Sequence, residues 1–168
     1  MSRRVDVDET LPLVAIPGRV LHELSLHARD TLPEECCGLI IGDEHERFAR
    51  LVRCHNDMNQ RHHEDPVAFP RDAKSAFWMR ATDYQRAQEE AEATGQEITA
   101  VYHSHTGVNA YLSDEDLAYA EHEGFPFKGA DQIVVAVPGA EMKPRVALFR
   151  REKPGRPFRG HEIQDPSA

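Results

Sequence analysis

Apolar positions recur at helical spacing over residues 18–30, where Val20, Leu21, Leu24 and Ala28 mark one face, so the pattern predicts a helix that Pro33 ends. Four short apolar runs predict strands: 11–16 (LPLVAI), 35–41 (ECCGLII), 98–103 (ITAVYH) and 132–137 (QIVVAV). Residues 46–54 alternate imperfectly through Phe48, Leu51 and Val52 and predict a paired antiparallel strand; 145–150 (RVALFR) predicts another. The polar stretch 55–66 (HNDMNQRHHEDP) predicts an exposed loop. From Pro70 to Thr94 the spacing predicts helix, with a break near Ala81–Thr82 and a stop at Gly95. Residues 104–112 predict a loop, and Ser113 opens a helix of about ten residues. Strands and helices mix without strict βαβ alternation, so the expected class is α/β in the broad sense: an α+β mixed-sheet sandwich.

Length and composition narrow the picture. A chain of 168 residues and 19.0 kDa suits one domain. A (β/α)₈ barrel needs about 200 residues at least. Twenty Lys and Arg against twenty-nine Asp and Glu give a net charge of −9, which argues against nucleic acid or an anionic membrane as the main partner. The opening MSRRVDVDETLP lacks an apolar core, so no signal peptide is expected, and no apolar run reaches the ~18–20 residues of a membrane span. Three cysteines, Cys36, Cys37 and Cys54, form no CxxC pair and fit a reduced cytoplasm; Cys36 and Cys37 read as small buried strand residues. Residues 1–150 are read as a single domain, and 151–168 as a C-terminal edge strand followed by a mobile tail.

One segment concentrates chemistry. His103-Ser104-His105 ends the best strand, and Ser113-x-x-Asp116 follows at short range. Residues two apart on a strand face the same way, so both imidazoles aim at one point. Two imidazoles and a carboxylate with an open fourth position suit a catalytic zinc ion, with Asp116 as the third ligand. Ser113-x-x-Asp116 is also a helix capping box, and the two roles are compatible with each other.

Other metal patterns fail. His22-Glu23-x-x-x-His27 is one residue too long for HExxH, and a spacing of five places the rings about 140° apart on a helix. The P-C-x-x-C half of a deaminase motif is absent. His62-His63 reads as solvated surface.

The pattern His103-x-His105-x7-Ser113-x2-Asp116, with the upstream block Glu34-Glu35-Cys36-Cys37-Gly38-Leu39-Ile40-Ile41-Gly42, resembles the JAMM (MPN-plus) metalloprotease family over roughly residues 15–150. The resemblance implies a cytidine deaminase-like domain, a central mixed sheet flanked by helices. It implies cleavage of peptide or isopeptide bonds after the C-terminal tail of ubiquitin-like proteins. It implies Zn2+ held by His103, His105 and Asp116, Glu35 as general acid/base and Ser113 as oxyanion stabiliser. Glu34 rivals Glu35, but the family glutamate stands two residues before the Cys-Gly pair, and strand alternation places Glu35 with Cys37 and Leu39.

His103-Ser104-His105-Thr106 departs from the usual eukaryotic H-S-H-P and resembles bacterial hydrolases that remove cysteine from a sulfur-carrier protein. The implied partner is a small ubiquitin-like sulfur carrier ending in Gly-Gly, and the product is cysteine or another small amino acid. Residues 55–66 and 121–131 are the only sites for the insertions that hold a second ubiquitin, and both are short. Two alternatives stand beside this: a lysine isopeptidase, and a metal-free MPN scaffold; a peptidase on short free peptides is a weaker one. The carrier tail is expected to add as a strand at a sheet edge or beside the 106–112 loop. Trp78 and Tyr111 are candidates to line its channel, although Trp78 reads better as a packed helix-face residue.

Overall fold

The computed structural model describes residues 3–164. Seven strands form one mixed sheet in the order β1-β7-β6-β5-β4-β2-β3. They are β1 (Val14–Ala15), β2 (Cys37–Gly42), β3 (Arg50–Cys54), β4 (Glu97–His105), β5 (Asp131–Ala136), β6 (Arg145–Arg150) and β7 (Arg159–Gln164). The β4/β5 and β1/β7 pairs are parallel and the others antiparallel. Among the described residues there are four helices: α1 (Gly18–Thr31), α2 (Met58–Glu64), α3 (Ala81–Ala93) and α4 (Asp114–Ala120). This is the mixed-sheet α/β class that the patterning predicts.

The alternation of β4 sorts its side chains between two layers. Ala100 and Tyr102 join Val20, Leu24 and Ala28 of α1 in one core, with Ile40, Ile133 and Leu148. Val101 faces the other way, onto Ala87 of α3, Cys37, Leu39, Phe77 and Met79. His103 and His105 continue the Val101 side, so the second layer carries the site. A third cluster, with Leu112, Ala120, Val134 and Phe149, seats α4 beside it.

The first layer explains the glycine in the Cys-Gly block. Gly38 pairs with Tyr102 across β2 and β4, and a Cβ at Gly38 would overlap the Tyr102 ring. The Tyr102 hydroxyl lies 2.7 Å from His27 Nδ1 on α1. Burial pushes the His27 pKa down to about 4 from an ordinary 6.5. Above pH 6.5 both folded and unfolded chains hold this ring neutral, and its contribution to stability is full. As the pH falls from there toward 4, the unfolded chain takes up a proton that the folded one refuses, so stability is lost. At pH 5 the loss from this group is about 2 kcal/mol. Urea unfolding at pH 7 and pH 5 checks it: the decline in His27→Gln is expected to be smaller than in the native chain by about that amount.

Three predicted elements change. Residues 58–64 of the expected loop are helical, as α2, although only Met58 of its seven residues is buried. The expected helix over 70–94 exists only as α3; residues 70–80 are turns and extended chain with an isolated bridge between Asn56 and Met79. Trp78 therefore lies on no helix. The helix opened by Ser113 runs seven residues, not ten.

Within 151–168, residues 159–164 form β7, and the outermost strand on that side is the two-residue β1. The expected mobile tail falls in part on 165–168, outside the described residues. No helix among the described residues is long and apolar enough to cross a membrane.

Candidate metal centre

Strand β4 ends on His105, so both imidazoles belong to regular strand rather than to the loop after it. The parallel neighbour β5 pairs Val134 with His103 and Ala136 with His105, so the strand end is laddered through its last residue. Phe77 stacks on the His103 ring at 4.4 Å and 20°. Tyr111 packs on the His105 ring at 4.8 Å.

Asp116 arrives from the first turn of α4. The Ser113 backbone N–H donates to Asp116 Oδ2 at 2.9 Å, and the Asp116 N–H donates to Ser113 Oγ at 3.1 Å, a full capping box. The cap is worth about 1 kcal/mol and fixes the helix start. It also orients Asp116, because the capped carboxylate faces the strand end. The capping and the site therefore use the same two residues.

The result is a triangle of donor atoms. His103 Nε2 and His105 Nε2 are 3.2 Å apart, and Asp116 Oδ2 lies 3.2 and 3.1 Å from them. A proton bridges two of these atoms, not three. Ligands about 2.0–2.1 Å from a tetrahedral ion stand about 3.3–3.4 Å apart, so the triangle nearly matches one face of such a tetrahedron. His103 is fully buried, and His105 and Asp116 are each 9% exposed. The donor set could hold a metal ion.

Electrostatics agree with a cation-seeking site. Burial alone would raise the Asp116 pKa, but the two histidines overcome it and hold the carboxylate ionised. Burial lowers the His103 pKa against the pull of Asp116, which leaves a neutral ring with a lone pair. Burial pulls His105 down as well, but its hydrogen bond to Asp116 wins and its pKa rises.

Glu35 lies just before β2, on the Cys37 side, and Cys37 pairs directly with His103. It is 5% exposed, and burial pushes its pKa up to about 8, with His105 opposing and Asp116 adding. Two hydrogen bonds hold its backbone directly, and two more hold the next residue. Its N–H donates to Ala73 O at 2.7 Å, and Asn56 Nδ2 donates to its carbonyl at 2.9 Å. The next residue, Cys36, donates its N–H to Ser104 Oγ at 2.7 Å, while the Ser104 N–H donates to Cys36 O at 3.0 Å. The serine between the two histidines thus clamps the glutamate segment to β4. Glu34 points elsewhere, accepting from Asn59 Nδ2 at 3.0 Å.

Asn56 is a positioning residue that the sequence did not reveal. Besides Glu35 it donates to Ala76 O at 3.1 Å and accepts from the Met58 and Trp78 N–H groups, both at 3.0 Å. One side chain ties Glu35, α2 and the 70–80 segment together.

The histidines that the sequence offered as rival ligands stay apart from the site: His22 is exposed on α1, His27 is buried against Tyr102, and His62 Nδ1 lies 2.7 Å from Phe69 O. Cys36, Cys37 and Cys54 are free and buried.

A strand-borne histidine pair closed by a helix-capping aspartate, on a seven-stranded mixed sheet, defines a compact α/β domain with a candidate metal centre. The chain belongs to the family described as prokaryotic homologs of the JAB domain, whose model matches residues 17–152. The fold is shared with a protein from Desulfitobacterium hafniense solved in solution, at TM-score 0.62 and 19% identity, covering 90% of this chain and 92% of that one. A second solution structure, of a protein from Salinibacter ruber, matches at TM-score 0.57 and 24% identity, covering 92% of each chain. A JAB1/MPN domain protein from Archaeoglobus fulgidus aligns at TM-score 0.45 and 15% identity, over 92% of this chain and all of that one. No curated protein matches.

Proposed function

We propose that the protein is a JAMM-type zinc hydrolase that cleaves the peptide bond after the C-terminal Gly-Gly of a small ubiquitin-like sulfur-carrier protein, releasing cysteine or another single amino acid. The observation that carries the reading is the triangle of His103, His105 and Asp116 donor atoms with Glu35 buried beside it. Membership of the JAB family supports a hydrolytic role, and the sulfur-carrier substrate rests on the resemblance of the His103–Thr106 segment.

His103, His105 and Asp116 are the residues that would hold zinc. Bound there, zinc would supply Lewis acidity, polarising a carbonyl oxygen and lowering the pKa of water toward ~7. Glu35 takes the proton of the attacking water as general base. It then passes that proton to the leaving amine as general acid, so no net proton remains on the protein. A buried carboxyl whose proton affinity lies near neutrality suits both halves of that relay. The Ser113 oxygen accepts from the Asp116 N–H, which leaves its own O–H to donate to the oxyanion of the tetrahedral intermediate.

The tail reaches this point extended. The backbone of Leu112 already exchanges hydrogen bonds with Val5, at 2.9 and 3.0 Å, so an added strand uses the 106–110 part of the loop instead.

The test supplies zinc-loaded protein with a carrier–Gly-Gly–amino acid fusion and, separately, with a carrier joined to a lysine side chain. Mass spectrometry should show carrier ending in Gly-Gly from the first. Cleavage of the lysine adduct alone would replace this reading with an isopeptidase, and cleavage of neither would leave a scaffold.

A further inference from the structure

Beside the candidate metal centre runs an aromatic groove to which the catalytic roles above assign no part. Phe69, Trp78 and Tyr119 form its walls, Arg71 and Glu115 lie at its rim, and Asp116 belongs to its lining. Its volume is about 270 Å³, several times the ~30 Å³ share of one water molecule. Trp78 packs edge-on against Phe69 and Tyr119, both at 5.3 Å, so the walls support one another. Asp116, a residue of the candidate centre, also belongs to the groove's lining, so in the cleavage proposed above a group held there would lie beside the scissile bond.

Glycine has no side chain to place there. In the cleavage proposed above, the residue after Gly-Gly is the one that brings a side chain to the groove. The rim supplies a second selector. Arg71 Nη2 lies 2.9 Å from Glu115 Oε1, and both side chains are about half exposed. An exposed ion pair of this kind is worth little, so exchange of Glu115 for another carboxylate costs little. Guanidinium groups hold carboxylates with two parallel hydrogen bonds. Arg71 is also tied to the acid/base residue, because Ala73, two residues on, accepts the Glu35 N–H.

We infer that the groove and Arg71 form a leaving-residue site for a free amino acid with a large apolar side chain, its α-carboxylate on Arg71 and its side chain between Phe69, Trp78 and Tyr119. The inference rests on the Gly-Gly hydrolase reading for its orientation, and it specifies the leaving residue: leucine- or phenylalanine-like in preference to cysteine, with a free carboxyl end rather than an amide.

Trp78 is the only tryptophan in the chain, so it reports occupancy without a label. Titration of the metal-loaded protein with L-phenylalanine is expected to change its fluorescence saturably. L-phenylalaninamide and L-cysteine are expected to bind at least ~10-fold more weakly, the size of a lost charged hydrogen bond or a lost apolar side chain. Arg71→Gln should weaken phenylalanine by ~10-fold or more while leaving the amide unchanged. Equal binding of acid and amide, or no saturable change with phenylalanine, overturns the inference whether or not the protein hydrolyses anything.

Fusions ending in Gly-Gly-Phe and Gly-Gly-Cys separate the two readings. Faster cleavage of the phenylalanine fusion supports the site. Equal or reversed rates overturn it and leave the hydrolase standing. Failure of both fusions, with phenylalanine still bound, removes the hydrolase reading instead.

Discussion

Glu35→Gln is expected to cut hydrolysis of a carrier–Gly-Gly fusion by about 10²–10⁴-fold while the protein keeps its full complement of zinc. The glutamine is isosteric, and the backbone contacts of Glu35 to Ala73, Asn56 and the Ser104 clamp do not depend on its carboxyl. Glutamine neither takes nor returns a proton, so both halves of the proposed relay would stop. Burial also makes the change mild for the fold, since a buried carboxyl pays a desolvation cost that a neutral amide avoids. Rates from single-turnover assays, with zinc measured in the same samples, check this. Unchanged turnover would remove Glu35 from the chemistry.

His103→Ala is expected to reduce zinc affinity by more than the about 10–100-fold that loss of a supporting hydrogen bond costs, because it deletes one corner of the ligand triangle. It also opens a void against Phe77, which stacks on the missing ring. Asp116 would keep only His105 and its cap, so the site loses its convergence. Competition with a chromophoric chelator measures the affinity, and circular dichroism confirms that the fold survives. Wild-type affinity in this variant would refute the ligand assignment.

The parts of the centre legible in the sequence are the local ones. His103, His105, Ser113 and Asp116 fall within fourteen residues, and two regular periods, the strand's two and the helix cap's three, bring them together. The strands were legible because β-branched apolar runs such as 98–103 and 132–137 are buried on both faces.

What failed to show was set by long-range hydrogen bonds. Ala73 and Phe77 are buried four apart and imitate a helix face, yet Ala73 is held by Asn59 and Glu35, and the neighbouring Trp78 by Asn56. Those contacts override local spacing. Helix α2 was invisible for the opposite reason: its sequence has no apolar stripe, and Asn56 Oδ1 accepting from the Met58 N–H helps to fix its start. The aromatic groove draws Phe69, Trp78 and Tyr119 from three separate places in the chain, and no period connects them.

The proposed hydrolase requires one metal ion gripped between His103 Nε2, His105 Nε2 and Asp116 Oδ2. Anomalous diffraction at the zinc edge, on crystals of the purified protein equilibrated with zinc, tests it most directly. The expected result is a single strong peak about 2.0–2.2 Å from each of the three atoms. A peak elsewhere with nothing between these side chains, or histidines and aspartate turned away from one another, would contradict the account.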